Sequence, residues 1–115
     1  MTTITFHKTE SGEYSSFICT GHAGFDNYGK DIVCAAVSVL VINTINSLEE
    51  LTKEDISVES DNESGYIECR FRLPLKETSK VLIDSLILGL SQIAKQYGEE
   101  YCKVDFITQV HKSDE

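Results

Sequence analysis

The stretch Ile67-Glu68-Cys69-Arg70-Phe71-Arg72-Leu73 decides the fold class, because apolar and charged residues alternate along it without interruption. A period of two predicts a β-strand with one face against a core and the other in water. Pro74 follows and ends this strand, since proline has no backbone N–H for a sheet. Because one face of the sheet must stay wet, helices are expected on the other face only.

Four further segments have the alternation or residue types of strands. They are Thr3 to His7, Tyr14 to His22, Ile56 to Val58 and Tyr101 to Thr108. Turns are predicted at Glu10 to Glu13, which joins the first two strands, and at Asn62 to Gly65. His7 alternates within the first strand and His111 lies in the polar tail, so both are expected to face solvent.

Two segments have helical periodicity. The first runs from Asp31, a good N-cap residue, to Leu51. Its many β-branched residues make a strand the rival interpretation, but its length and the spacing of Val33, Val37 and Val41 favour a helix. The second runs from Lys76 to Tyr97, and Gly98 is expected to end it.

The predicted order is therefore ββαββαβ, in one domain over residues 1–115. We expect an α+β fold: a two-layer sandwich of a mainly antiparallel sheet with two helices on one face.

The charge balance excludes some classes of partner. With 19 acidic and 10 basic residues the formal net charge is −9, which argues against binding to nucleic acid or to anionic membranes. The longest apolar stretch, Ile32 to Ile42, contains Ser38 and is shorter than the roughly 20 residues of a membrane span. No signal peptide is apparent, so we predict a cytoplasmic protein without a membrane partner.

The chain has four cysteines, Cys19, Cys34, Cys69 and Cys102, and no C-x-x-C pair. In a reducing cytosol their default interpretation is four separate thiols that act as small apolar residues. A metal site at His22, Asp26, Asp31 and Cys34 matches no familiar ligand spacing, so neither a metal nor a cofactor is expected.

Cys34 differs from the other cysteines in its predicted setting. If Asp31 is the N-cap, Cys34 is the third helical residue, where free amides and the helix dipole stabilise a thiolate. The Asp31 carboxylate opposes this effect. His22 ends a strand that leads into the loop before the helix, so an imidazole could pair with the sulfur. A structural cysteine and an exposed loop histidine would produce the same pattern.

The block Gly21-His22-Ala23, a loop that contains Gly29, and Asp31-Ile32-Val33-Cys34-Ala35-Ala36-Val37-Ser38 resembles the ribosomal-processing cysteine protease family, Prp. The resemblance extends over most of the chain in length and element order. It implies that Cys34 is the nucleophile and His22 the catalytic histidine, with Asp31 and Ser38 in supporting positions. Gly21 and Gly29 also match the family.

The resemblance further implies a function: removal of an N-terminal extension from large ribosomal subunit protein number twenty-seven by a homodimeric enzyme. It also implies a loop between His22 and Asp31 that orders over the substrate. Two other classes are kept as alternatives. One is a non-catalytic ribosome-assembly or protein-binding module, and the other is a thiol-based redox or acyl-transfer protein.

Overall fold

The computed structural model of the chain describes residues 1–21, 28–61 and 63–109, with the backbone alone for residues 28–31. The elements follow the predicted order ββαββαβ. They are β1 (Thr2–Lys8), β2 (Tyr14–Thr20), α1 (Tyr28–Glu50), β3 (Ile56–Asp61), β4 (Tyr66–Phe71), α2 (Glu77–Tyr97) and β5 (Cys102–Thr108).

The five strands form one sheet in the order β3-β4-β2-β1-β5. Three neighbouring pairs are antiparallel, and β1 and β5 are parallel. The sheet is thus mixed but mainly antiparallel, as expected. Its register brings Ile4 beside Cys19 and Phe17 beside Cys69, so the inward positions of three strands form continuous rows.

One face of the sheet and both helices share a single apolar core, which confirms the two-layer sandwich. Most inward residues of β1, β2 and β4 are buried, as the alternation predicted. The helices contribute side chains at helical spacing. The main contributors are Ile4, Phe6, Phe17 and Cys69 from the sheet, Val33, Val37, Val41 and Leu48 from α1, and Ile83, Leu86 and Leu90 from α2.

Helix α1 begins at Tyr28, three residues before the predicted start. The prediction that Asp31 caps the helix is therefore wrong, because Asp31 is the fourth helical residue. Acidic residues are favourable in the first turn as well as at the cap, because both positions lie near the positive end of the helix dipole. The carboxylate thus marked the start of the helix only to within a turn.

Other boundaries shift by smaller amounts. β2 ends at Thr20 rather than at His22, which lies outside the described residues. β3 extends to Asp61, beyond the predicted end at Val58. Gly98 ends α2 with a φ of 105°, which confirms its predicted role because glycine adopts that angle without strain.

A buried polar cluster joins the end of α1 to the start of α2. The Lys76 backbone N–H donates to Glu54 Oε1 over 3.2 Å, and the Ser79 hydroxyl donates to the same oxygen. Lys76 Nζ donates to the carbonyls of Thr52 (2.6 Å) and Lys53 (2.9 Å). Glu54 thereby ties Lys76, the residue before α2, and Ser79 in its first turn to the segment that follows α1.

Between Ile32 and Glu50, helix α1 is long and apolar enough to cross a membrane by length and composition, with a mean hydropathy of 1.7 over 19 residues. The sequence-based estimate stopped at Ile42 and so underestimated the apolar length. A core helix passes the same test, and one side of α1 is buried against the sheet.

Candidate active site

Cys34 is the seventh residue of α1, and its side chain is half-buried. The amides that lack helical partners belong to the first four residues, and the effect of the helix dipole declines within the first turn. The predicted stabilisation of the Cys34 sulfur by first-turn amides is therefore wrong. The error follows directly from the earlier start of the helix.

Ser38 lies one turn after Cys34, so both side chains lie on the same flank of α1. Both are half-buried. On another flank of the helix Leu40 packs against α2, where Gly89 leaves room for it. The flank that carries Cys34 and Ser38 therefore faces away from α2 and towards the β4 side of the sheet.

A second observation supports this orientation. Glu49 follows Ser38 by three turns on the same flank. Burial, and then the Glu49 carboxylate, raise the pKa of Cys69 in β4 to about 12. The effect of a charge on a thiol declines with distance, so the Glu49 contribution agrees with a flank of α1 that is turned towards β4.

Cys19, near the end of β2, lies within electrostatic reach of Cys34. Burial raises the pKa of Cys19 to about 11, and the charges of Cys34 and Cys102 add to the increase. Sequence reasoning missed this neighbour, although the alternation of β2 already placed Cys19 on the inner face.

The three other thiols have the environment of core residues. Cys19, Cys69 and Cys102 are buried, and burial is the largest cause of the raised pKa of each. Cys34 is the most accessible of the four. The prediction that the three strand cysteines are core thiols is confirmed.

Gly21 has a specific structural reason to be glycine. Its φ is 109°, and a Cβ atom here would collide with the carbonyl oxygen of Met1. This turn determines the direction in which the chain leaves β2. Gly29 lies within α1 as its second residue.

Some predicted site positions lie outside the described parts of the chain. These are His22, Asp26 and the side chain of Asp31. The Cys34–His22 pairing and the role of Asp31 thus stay predictions. Within residues 1–21, 28–61 and 63–109, no group of three or more potential ligands is arranged to hold a metal ion.

His7 is less exposed than predicted. It is half-buried, and its Nδ1 is shielded and without a hydrogen-bond partner among the described atoms.

A cavity of about 480 Å³ lies where the β1–β2 turn meets α2, lined by residues that include Glu13, Lys80 and Asp84. This is the opposite end of β2 from Cys19, so the cavity does not adjoin Cys34.

Sequence comparison identifies the family. The family described as cysteine protease Prp matches residues 1–103. The ribosomal processing cysteine protease Prp of Staphylococcus aureus is 26% identical over 99 residues, which cover 86% of this chain and 93% of that protein. The Prp of Bacillus subtilis is 28% identical over 103 residues, covering 86% and 92%.

Solved structures agree with this result. SMU.848 from Streptococcus mutans superposes with a TM-score of 0.84 at 34% identity and covers 95% of this chain and 96% of its own. Prp from S. aureus in complex with a substrate peptide has a TM-score of 0.85 at 24% identity, covering 92% and 99%, a likeness of fold. The chain therefore belongs to the cysteine protease Prp family, and it is a cysteine protease.

Proposed function

We propose that this protein is an endopeptidase in which Cys34 is the nucleophile and His22 the general base. The observation that carries the proposal is the contrast among the four thiols: three are buried, while Cys34 is only half-buried on a flank of α1. Gly21, which directly precedes His22, lies two residues beyond Cys19, and Cys19 is within electrostatic reach of Cys34. This neighbourhood supports the pairing.

The proposed reaction has two steps. His22 takes the thiol proton, and the Cys34 thiolate attacks the peptide carbonyl carbon. The C–N bond then breaks as His22 gives the proton to the leaving amine, which leaves a thioester on Cys34. Water, deprotonated by His22, attacks the thioester, and the carboxylic acid and the free thiol are released.

The position of Cys34 makes His22 more important to this mechanism. Since the sulfur is nearly two turns from the helix start, free amides do not stabilise the thiolate there. A neighbouring imidazolium is the group that can do so. Ser38, on the same flank, would support the site by donating a hydrogen bond.

For the substrate we propose the N-terminal extension of large ribosomal subunit protein number twenty-seven. The S. aureus and B. subtilis relatives are named as ribosomal processing proteases, and one S. aureus structure holds a substrate peptide. A net charge of −9 suits a basic ribosomal protein. Such processing belongs in the cytoplasm, where we place the enzyme.

The test is to incubate the protein with the extended ribosomal protein and to follow the product by mass. Wild type should release one N-terminal peptide. Cys34→Ala should abolish release while it keeps the circular dichroism spectrum, and Cys69→Ala, which removes a buried thiol, should still cleave. Full cleavage by Cys34→Ala would refute the mechanism.

We further propose that two copies associate through the outer surface of the helix layer. Exposed apolar residues lie there on both helices, which is unusual for a monomer with no partner. They are Ile32, Val39 and Ile42 on α1 and Val81 and Leu88 on α2. Sedimentation equilibrium, which would return the mass of two chains, tests this proposal.

A further inference from the structure

The inner face of edge strand β3 is not covered by the helix layer. In one row across the sheet, Phe17 and Cys69 are completely buried, but Val58 on β3 is 40% exposed. In the next row Cys19 is buried, Ile67 is half-buried and Ser60 on β3 is exposed. In both rows the helices cover the sheet as far as β4 and leave β3 exposed, because a layer of two helices is narrower than a sheet of five strands.

The flank of α1 that carries Cys34 borders this uncovered strip. This flank faces away from α2, which Leu40 contacts from another side of α1, and Cys34 lies within electrostatic reach of Cys19. Ile67 is the direct neighbour of Cys19 in β4. Further along the same flank, the Glu49 carboxylate lies within electrostatic reach of Cys69, whose neighbour in β3 is Val58. The strip thus forms a shelf, with Val58, Ser60 and Ile67 as its floor and the α1 flank from Cys34 to Glu49 as its wall.

We propose that the shelf is the subsite that holds an extended segment of the substrate, with an apolar side chain on Val58 and Ile67 and a basic side chain near Glu49. This inference rests on the proposed function, because it takes Cys34 as the nucleophile. A peptide that is cut at Cys34 must extend from the sulfur along the protein surface. The shelf begins beside Cys34 and runs along α1 towards Glu49, so it can hold such a peptide.

Three properties of the shelf fit an extended peptide. Its floor carries the apolar side chains of Val58 and Ile67, although strand β3 also contains the acidic residues Glu59 and Asp61. Strand β3 stands at the edge of the sheet, where free backbone groups can pair with an added strand. The Glu49 carboxylate provides a negative charge where the wall ends, which favours lysine or arginine in the substrate.

The floor is tested with Val58→Asp and its matched control Ile107→Asp. Ile107 is 47% exposed on β5, the strand at the other edge of the sheet. With the extended ribosomal protein as substrate, Val58→Asp should lower kcat/KM by about tenfold or more, mainly through KM, and Ile107→Asp should leave it unchanged. Thermal unfolding of both variants checks that each remains folded.

The wall is tested by a charge reversal at adjacent positions. Glu49→Lys should raise KM for the same substrate several-fold, and Glu50→Lys, which makes the same change on the solvent side of α1, should not. Alkylation of Cys34 by iodoacetamide should proceed at the wild-type rate in all four variants, because the shelf binds substrate and does not activate the thiol.

The results separate the shelf from the proposed function. If Cys34→Ala is inactive but Val58→Asp and Glu49→Lys cleave with wild-type kcat/KM, the shelf is wrong and the nucleophile stands. If wild type does not cleave, or Cys34→Ala does, the proposed function fails and the shelf fails with it. Equal losses in Val58→Asp and Ile107→Asp also overturn the shelf.

Discussion

At the scale of single residues, the thiols occupy two environments. Cys34 is half-buried on α1, and the other three lie in the core beneath the helices. Nucleophilic reactivity requires both thiolate and access, so burial removes Cys19, Cys69 and Cys102 from consideration. The choice of Cys34 therefore has a physical basis that does not depend on family membership.

Alkylation at neutral pH measures this difference. At pH 8 a thiol with a pKa of about 11, such as Cys19, is ionised to roughly one part in a thousand. We expect iodoacetamide to modify Cys34 at least tenfold faster than Cys19 or Cys69, as measured by mass spectrometry of peptides. If Cys34 reacts no faster than Cys69, the activated thiolate is refuted.

The raised pKa values also predict how stability depends on pH. Cys19 and Cys69 keep their protons in the folded state to about pH 11 and about pH 12, whereas an unfolded thiol loses its proton near its ordinary value of 9.0. Below that value these groups add no pH dependence. Above it the folded chain binds more protons than the unfolded chain, so stability falls as pH rises, by up to about 1.4 kcal/mol per pH unit for each thiol.

Urea unfolding from pH 8 to pH 11 checks this prediction. Cys69→Ala should have a shallower loss of stability with pH than wild type, because one of the contributing groups is gone. Identical slopes would show that Cys69 does not ionise on unfolding in this range.

At the scale of elements, two local structures hold the site. The first is the turn at Gly21, where β2 ends. Gly21→Ala should destabilise the fold by about 2 kcal/mol or more, because it combines a positive φ with a collision against Met1. Cleavage should also fall, since the direction of the chain towards His22 changes.

Gly12→Ala is the matched control. Gly12 also has a positive φ, of 90°, but an added Cβ there has open space around it. Gly12→Ala should lower the free energy of unfolding by only about 1 kcal/mol, which is the backbone cost of a positive φ, and should leave cleavage intact. If the two variants are equally stable by thermal unfolding, the Met1 contact is unimportant.

The second local structure is the Glu54 cluster, which fixes the start of α2 relative to the end of α1. Glu54→Ala should lower the free energy of unfolding by about 1–3 kcal/mol, because the Lys76 N–H and the Ser79 hydroxyl both lose their charged acceptor and Ser79 keeps only its bond to Thr52. Glu50→Ala, at an exposed position, should change it by less than about 0.5 kcal/mol. Urea denaturation of both variants makes the comparison.

At the scale of the whole molecule, the outer surface of the helix layer is the feature that a single chain leaves unexplained. Val39 is 67% exposed at the centre of the apolar stripe on α1. If two copies pair there, the melting temperature should rise with protein concentration.

Val39→Glu should place a charge in that contact and produce a monomer in sedimentation equilibrium. Its melting temperature should no longer depend on concentration. Ile107→Glu, at an exposed position of the sheet, should still form the dimer. A wild-type protein that sediments as a monomer at all concentrations would contradict the proposed association.

By itself the sequence determined the order of the elements and the two-layer class, because alternation and helical spacing are local properties that burial selects. The strict alternation from Ile67 to Leu73 already implied a wet face and a covered face. The motif block from Gly21 to Ser38 indicated the family, which the comparisons confirm. It also singled out Cys34 among four thiols.

Only the tertiary structure decided the strand order, with β5 parallel to β1 and β3 at the edge, because such pairings depend on contacts distant in sequence. It also placed the start of α1 at Tyr28, so the free amides of the first turn are too far from Cys34 to stabilise its thiolate. The tertiary structure also decided that the helix layer covers the sheet only as far as β4 and leaves β3 exposed. Two packed helices are narrower than a five-stranded sheet, and this difference exists only once the two layers are assembled. It leaves the shelf beside Cys34 exposed.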